Sequence, residues 1–116
     1  MASMTLKLPE GLKERLEPFS RWLPAILELS LLALKTSAQQ EVTALIEFLA
    51  SNPPARQVRD YRLSEAAQQR LEGLFERNTE GAITDAESRE LDESLKLEHV
   101  VRMLKARLSS DELAGV

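Results

Sequence analysis

The chain has no cysteine, one histidine, four glycines and an aromatic content of only 4%. Each shortage removes a class of function. Without cysteine there is no disulfide and no thiolate metal site, a composition that fits a reducing, cytoplasmic interior. With His99 alone, no histidine cluster can form around a metal within one chain. So few aromatics leave no stacking platform for single-stranded nucleic acid. The longest apolar stretch, residues 23–34, contains Glu28 and Ser30 and falls short of the roughly 20 residues a membrane span requires, so no membrane is expected. Charged residues from Lys7 onward read against a secretion signal, and residues 1–3 ahead of Met4 read as a cloning remnant. Carboxylates are plentiful, yet short helices with few glycines give no sign of a concave pocket. An enzyme is therefore the least supported class, and no cofactor is expected.

What is present is an ordinary folded composition, 43% hydrophobic and 29% charged over 116 residues. That length makes one small domain, or a small head with a helical extension, and its core is limited unless it oligomerises. Charge divides unevenly. Residues 1–40 are net +1, residues 41–63 are neutral, and residues 64–116 carry seven basic against twelve acidic groups, net −5. An acidic half is a poor ligand for phosphate backbones but can cover a basic surface on another protein.

The pattern along the chain predicts an all-α fold of about five helices with a C-terminal helical hairpin. A short N-terminal β-strand, pairing in a dimer, is the one addition. Thr5 and Lys7 alternate with Met4, Leu6 and Leu8, the period of a half-buried strand, and Pro9 ends it. Leu12, Leu16 and Phe19 then repeat at helical spacing, with a kink or stop expected at Pro18. A second helix is expected from Pro24 to about Leu34, apolar on nearly all sides and so buried on nearly all sides. Val42, Leu45, Ile46 and Leu49 form the stripe of a third, which Asn52-Pro53-Pro54 terminates. These elements make a head over residues 4–51, followed by an extended linker over 52–63 with Arg56, Arg59 and Arg62.

The acidic hairpin occupies residues 64–108. Ser64 reads as an N-cap, Asn78 and Gly81 tolerate left-handed backbone, and Thr84 with Glu87 has capping-box spacing. On the last helix Leu91 and Leu95 share one face, while Leu97, Val100, Val101, Leu104 and Leu108 cluster on another. Two apolar faces predict two packing partners, the hairpin mate and a second molecule. Residues 109–116 read as a flexible tail.

Two motifs carry chemistry. The loop of residues 76–87 approaches a calcium-binding EF-hand, with Glu76, Asn78, Glu80 and Glu87 as candidate ligands around Gly81. Glu76 and Glu80 are longer than the aspartates such a loop favours, and Thr84 and Glu87 already have capping work to do. Thr5 and Lys7, on the outward face of a two-stranded ribbon, would reach base edges in the major groove of double-stranded DNA.

Through Thr5-Leu6-Lys7-Leu8-Pro9-Glu10 and the Leu12/Leu16 helix, residues 4–35 resemble the ribbon-helix-helix heads of bacterial type II antitoxins. The turn Trp22-Leu23-Pro24 departs from the polar turn of such heads. Residues 63–108, through Asn78, Gly81, Thr84, Glu87, Glu90-Leu91-Asp92-Glu93 and Leu104-Lys105-Ala106, look like small bacterial helical proteins encoded beside nuclease-type toxins. The resemblance implies a homodimer that reads operator DNA with its head and neutralises a toxin with its acidic tail. In that scheme Leu97, Val100, Val101, Leu104 and Leu108 anchor in a partner groove. A structural or adaptor subunit, its second helix buried in a larger assembly, is the alternative from a different class.

Overall fold

The computed structural model describes residues 3–114, with side chains up to Leu108. The fold is all-α, and the described residues contain no strand or sheet. Residues 3–9 have no regular structure in the single chain, so the expected ribbon is not formed within it. A lone strand has no partner for its backbone groups, and one copy offers none.

Gly11, at φ 85° in the left-handed region, turns the chain into the short α1 (Leu12–Leu16). Pro18 then forces the expected break: a 3-10 segment, Glu17–Trp22, contains the non-helical Phe19 at φ −125°. Trp22 is buried and its indole N–H donates to the Pro53 carbonyl at 2.9 Å, tying this turn to the far end of the head.

Helix α2 (Leu23–Ser30) is one turn shorter than its apolar run predicts. Ala33 adopts φ 46°, and the backbone N–H groups of Lys35 and Thr36 donate to the Glu93 carboxylate instead of continuing the helix. Glu93 is the buried charged side chain among the described residues, and its oxygens are occupied by that loop. Nor is α2 covered all round: Ala25 and Leu29 are buried, but Leu27 and Leu31 remain 52% and 83% exposed.

Helix α3 (Ala38–Ala50) buries Val42, Leu45 and Leu49 as its stripe predicts, and ends where Asn52, at φ 56°, meets Pro53 and Pro54. The segment expected as an extended linker is instead packed. It contains α4 (Ala55–Arg59), whose Val58 is fully buried, and Tyr61 stacks on Phe48 with ring centroids 5.0 Å apart.

Helices α5 (Glu65–Thr79) and α6 (Asp85–Ala114) form the hairpin. Both predicted caps are in place. Ser64 accepts the Ala67 N–H at 3.1 Å, while Thr84 and Glu87 exchange reciprocal bonds of 3.1 Å. Gly81, at φ 72°, makes the turn between them. Leu74 and Leu91 close the hairpin interior, flanked by an Arg70–Glu90 bridge of 2.6 Å. Helix α6 continues through Ala114, past the point where a flexible tail was expected; residues 115 and 116 lie outside the described residues.

The second half of α6 packs between α2, α3 and α4. Leu97, Val101, Leu104 and Leu108 join Trp22, Leu29, Val42, Leu45 and Leu49 in one apolar cluster. A bidentate Glu28–Arg107 pair, 3.1 and 3.2 Å, fastens α2 to the far end of α6. The first half of α6 carries the hairpin away from this core, which explains extents of 51 × 36 × 26 Å and a radius of gyration of 16.6 Å. A compact chain of about this length would have roughly 13 Å.

Candidate interaction groove

On one side of the hairpin, α5 presents Gln68, Leu71, Glu72 and Phe75, an i, i+3, i+4, i+7 face. Farther from the hairpin tip, α6 contributes Glu98, Val101, Arg102 and Lys105 at the same spacing. Residues 61–63 close one end. The space between is about 500 Å³, in the range of ligand-binding clefts. Its apolar lining comes from Leu63, Leu71 and Phe75, over the core residue Val101, and Phe75 is 43% exposed.

Polar groups of both signs line the groove. The Lys105 ammonium donates to the Tyr61 carbonyl, placing it beside Arg62 at the closed end. Glu98 lies two helical turns back along α6 and pairs with Arg102 at 2.8 Å, one of the i, i+4 contacts visible in the sequence. Burial, and secondarily the nearby Glu41 carboxylate, hold the Tyr61 phenol above its ordinary pKa, so it stays neutral through the physiological range.

A second, smaller cavity of about 160 Å³ lies on the other side, between α3, α5 and α6. Its polar groups are engaged with one another: Glu41 accepts both the N–H and the hydroxyl of Ser64, and Arg70 holds Glu90. The bond to Glu90 raises the Arg70 pKa.

The residues expected to anchor a partner are elsewhere occupied. Leu97, Val101, Leu104 and Leu108 are buried in the chain's own core and Val100 packs against it. The second packing partner of α6 is therefore the head of the same chain, which corrects the expectation that this stripe is presented to another molecule. The periodicity correctly marks a buried face but carries no label for what buries it.

The four calcium candidates do not form a loop-shaped cluster. Glu76 and Asn78 lie within α5 rather than in a loop, and Glu80 follows its last turn. Glu87 is committed to the Thr84 N–H and to the Arg77 guanidinium. Among the described residues no group of three or more His, Asp or Glu side chains is placed to hold a metal ion.

Those same bonds, the Thr84 N–H first and Arg77 after it, hold the Glu87 carboxyl below its ordinary pKa. A depressed carboxyl stabilises the fold above its unfolded pKa of about 4.3, and the benefit is lost as pH falls through the folded value. Glu87→Gln keeps an acceptor for Thr84 but no charge. Its melting temperature should fall below that of the parent at pH 7, and the gap should narrow progressively as pH falls below the unfolded value and through the depressed folded one. A gap that persists in acid would mean packing, not charge, is at stake.

Thr5 and Lys7 are exposed on the irregular N-terminal arm, together with Met4, Leu6 and Leu8. The sequence marks Leu71 and Phe75 as an apolar helix face and Arg62 and Arg102 as exposed cations, but does not show that they line one groove with Lys105. No described helix is long and apolar enough to cross a membrane. No family model, curated protein or solved structure matches this chain.

Proposed function

We propose that this chain is a non-catalytic interaction protein of the antitoxin kind, acting in the cytoplasm. Two copies pair through their N-terminal arms, turn Thr5 and Lys7 toward operator DNA, and offer the acidic hairpin to the basic surface of a nuclease toxin. What supports the reading is the arm. Met4, Leu6 and Leu8 stand 83%, 64% and 41% exposed in alternation with Thr5 and Lys7. An alternating apolar edge with nothing against it gains most from a second identical edge. The acidic balance of residues 64–116 supplies the complement to a cationic partner.

The test combines the isolated protein with DNA from upstream of its own gene. A dimer by light scattering and a salt-dependent gel shift that Lys7→Ala weakens by about ten-fold are expected, since phosphate and base contacts of one lysine are of that order. A monomer at every concentration, or a shift indifferent to Lys7→Ala, would remove the ribbon. Co-purification with the product of an adjacent nuclease-type gene tests the other half.

The adaptor reading keeps one observation of its own, the outward pair Leu27 and Leu31 on α2. It predicts a stable assembly that contains no toxin.

A further inference from the structure

We propose that the N-terminal arm of one copy seats its apolar edge, Met4, Leu6 and Leu8, on the outer seam between α2 and α6 of a second copy, over Leu27, Leu31 and Met103. The inference rests on the dimer of the proposed function and says where each arm lies.

Helix phase defines the seam. Glu28 on α2 holds Arg107 on α6, and farther along the chain Lys35 and Thr36 reach back to Glu93, so the two elements run antiparallel. Leu31 stands one turn on from Glu28 and Met103 one turn back from Arg107, which brings them to the same level on either side of the seam. Leu29, Val101 and Leu104 turn inward from these elements, while Leu27, Leu31 and Met103, the last 41% exposed, stay outside. Among the described residues, the exposed large hydrophobic side chains away from the hairpin are these three and the three of the arm.

Spacing and symmetry select the occupant. Side chains two residues apart on an extended chain are separated by about 6.6 Å, and Leu27 and Leu31 lie about 6 Å apart along their helix. The row on the arm therefore steps at nearly the same interval as the row it meets. Pairing two arms by their backbone edges leaves that row bare, because the side chains stand out of the pairing plane. A two-stranded ribbon with no face packed is marginal in water. In the single chain the arm and the seam are both open, and one two-fold operation covers both on both copies. Either surface alone is about the size of the largest patch on an ordinary monomer, roughly 300–500 Å². Reciprocal exchange counts each twice, roughly 1,200–2,000 Å² in all, which is what a stable dimer buries. Alternation leaves Thr5 and Lys7 pointing away from the seam.

The absence of cysteine makes the contact directly testable by introduced thiols. A Leu6→Cys chain is mixed with a tagged Leu31→Cys chain and oxidised gently. A disulfide joining the two chains, located by peptide mass, is the expected product; replacing the second chain by Glu72→Cys, exposed on α5, should give none. In sedimentation, the Leu31→Glu, Met103→Glu double variant should weaken dimerisation at least about ten-fold, since it places two carboxylates under apolar side chains. Circular dichroism of the dilute variant should match the parent, because both positions are exposed in the monomer.

Two results would overturn the seating and leave the operator reading in place: Leu6→Cys chains linked only to one another, or a dimer indifferent to the double variant. A disulfide that forms only inside a chain carrying both cysteines would give the seam to the chain's own arm, and so overturn it too. A parent that stays monomeric at every concentration would overturn the seating together with the dimer, whereas loss of the Lys7-dependent gel shift alone touches only the DNA.

Discussion

Leu97→Ala is expected to destabilise the isolated chain by about 3 kcal/mol, within the range for emptying a fully buried leucine site. Leu97 is 1% exposed and sits where α6 enters the apolar cluster formed with α2 and α3. For a domain whose total stability is of order 5–15 kcal/mol, that is a large fraction, equivalent to a fall of roughly 10–20 °C in melting temperature. The comparison variant is Leu31→Ala. That side chain stands in solvent, and its removal should change stability by no more than about 0.5 kcal/mol. Urea denaturation of the two variants without any partner decides the point. If Leu97→Ala leaves the isolated protein unchanged, the core described for α6 is wrong and its leucine stripe reverts to a surface awaiting another molecule.

Glu93→Ala should cost a comparable amount, about 2–4 kcal/mol, for a different physical reason. The carboxylate accepts the backbone N–H groups of Lys35 and Thr36, the latter at 3.1 Å, and ties the loop after α2 to the middle of α6. Removing it strands two donors in a part-buried loop with no carboxylate to replace water. Glu93→Gln retains one oxygen acceptor but turns an amide toward donors, so it should recover only part of the loss. Amide hydrogen exchange gives a local readout. The Lys35 and Thr36 amides should exchange much faster in Glu93→Ala than in the parent, while those of α5 stay as they were. Unchanged exchange at those two amides would show that the loop holds its shape without Glu93.

Where the sequence was legible, a local physical rule governed the outcome. Ser64, Thr84 and Glu87 cap helices because cap chemistry involves neighbours three residues apart, and Pro18 breaks its helix wherever the rest of the chain lies. The α3 stripe is equally local, since Val42, Leu45 and Leu49 share a face by geometry alone. The failures each needed a distant residue. Helix α2 stops at Ser30 although its apolar run continues, because the loop that follows is captured by Glu93, nearly sixty positions away. The segment around α4 looked like a linker on its prolines and arginines, yet Val58 and the Tyr61–Phe48 stack dock it onto the head. Of the groove, the two four-residue faces were present in the sequence. That they line one trough depends on how the hairpin leaves the core, which no local pattern encodes.

One rod serves both parts of the molecule. The backbone of α6 runs without interruption from the capped end beside Gly81 to Ala114, and its phase decides at once which way the hairpin arm projects and which residues meet the head. A helix advances about 100° per residue, so adding or deleting a single position between Leu95 and Leu97 would swing the arm by over a quarter of a circle relative to the head. Evolutionary drift in the length of that span is therefore constrained to whole-turn steps of three or four residues, whereas the loop at the tip is free of any such quantisation.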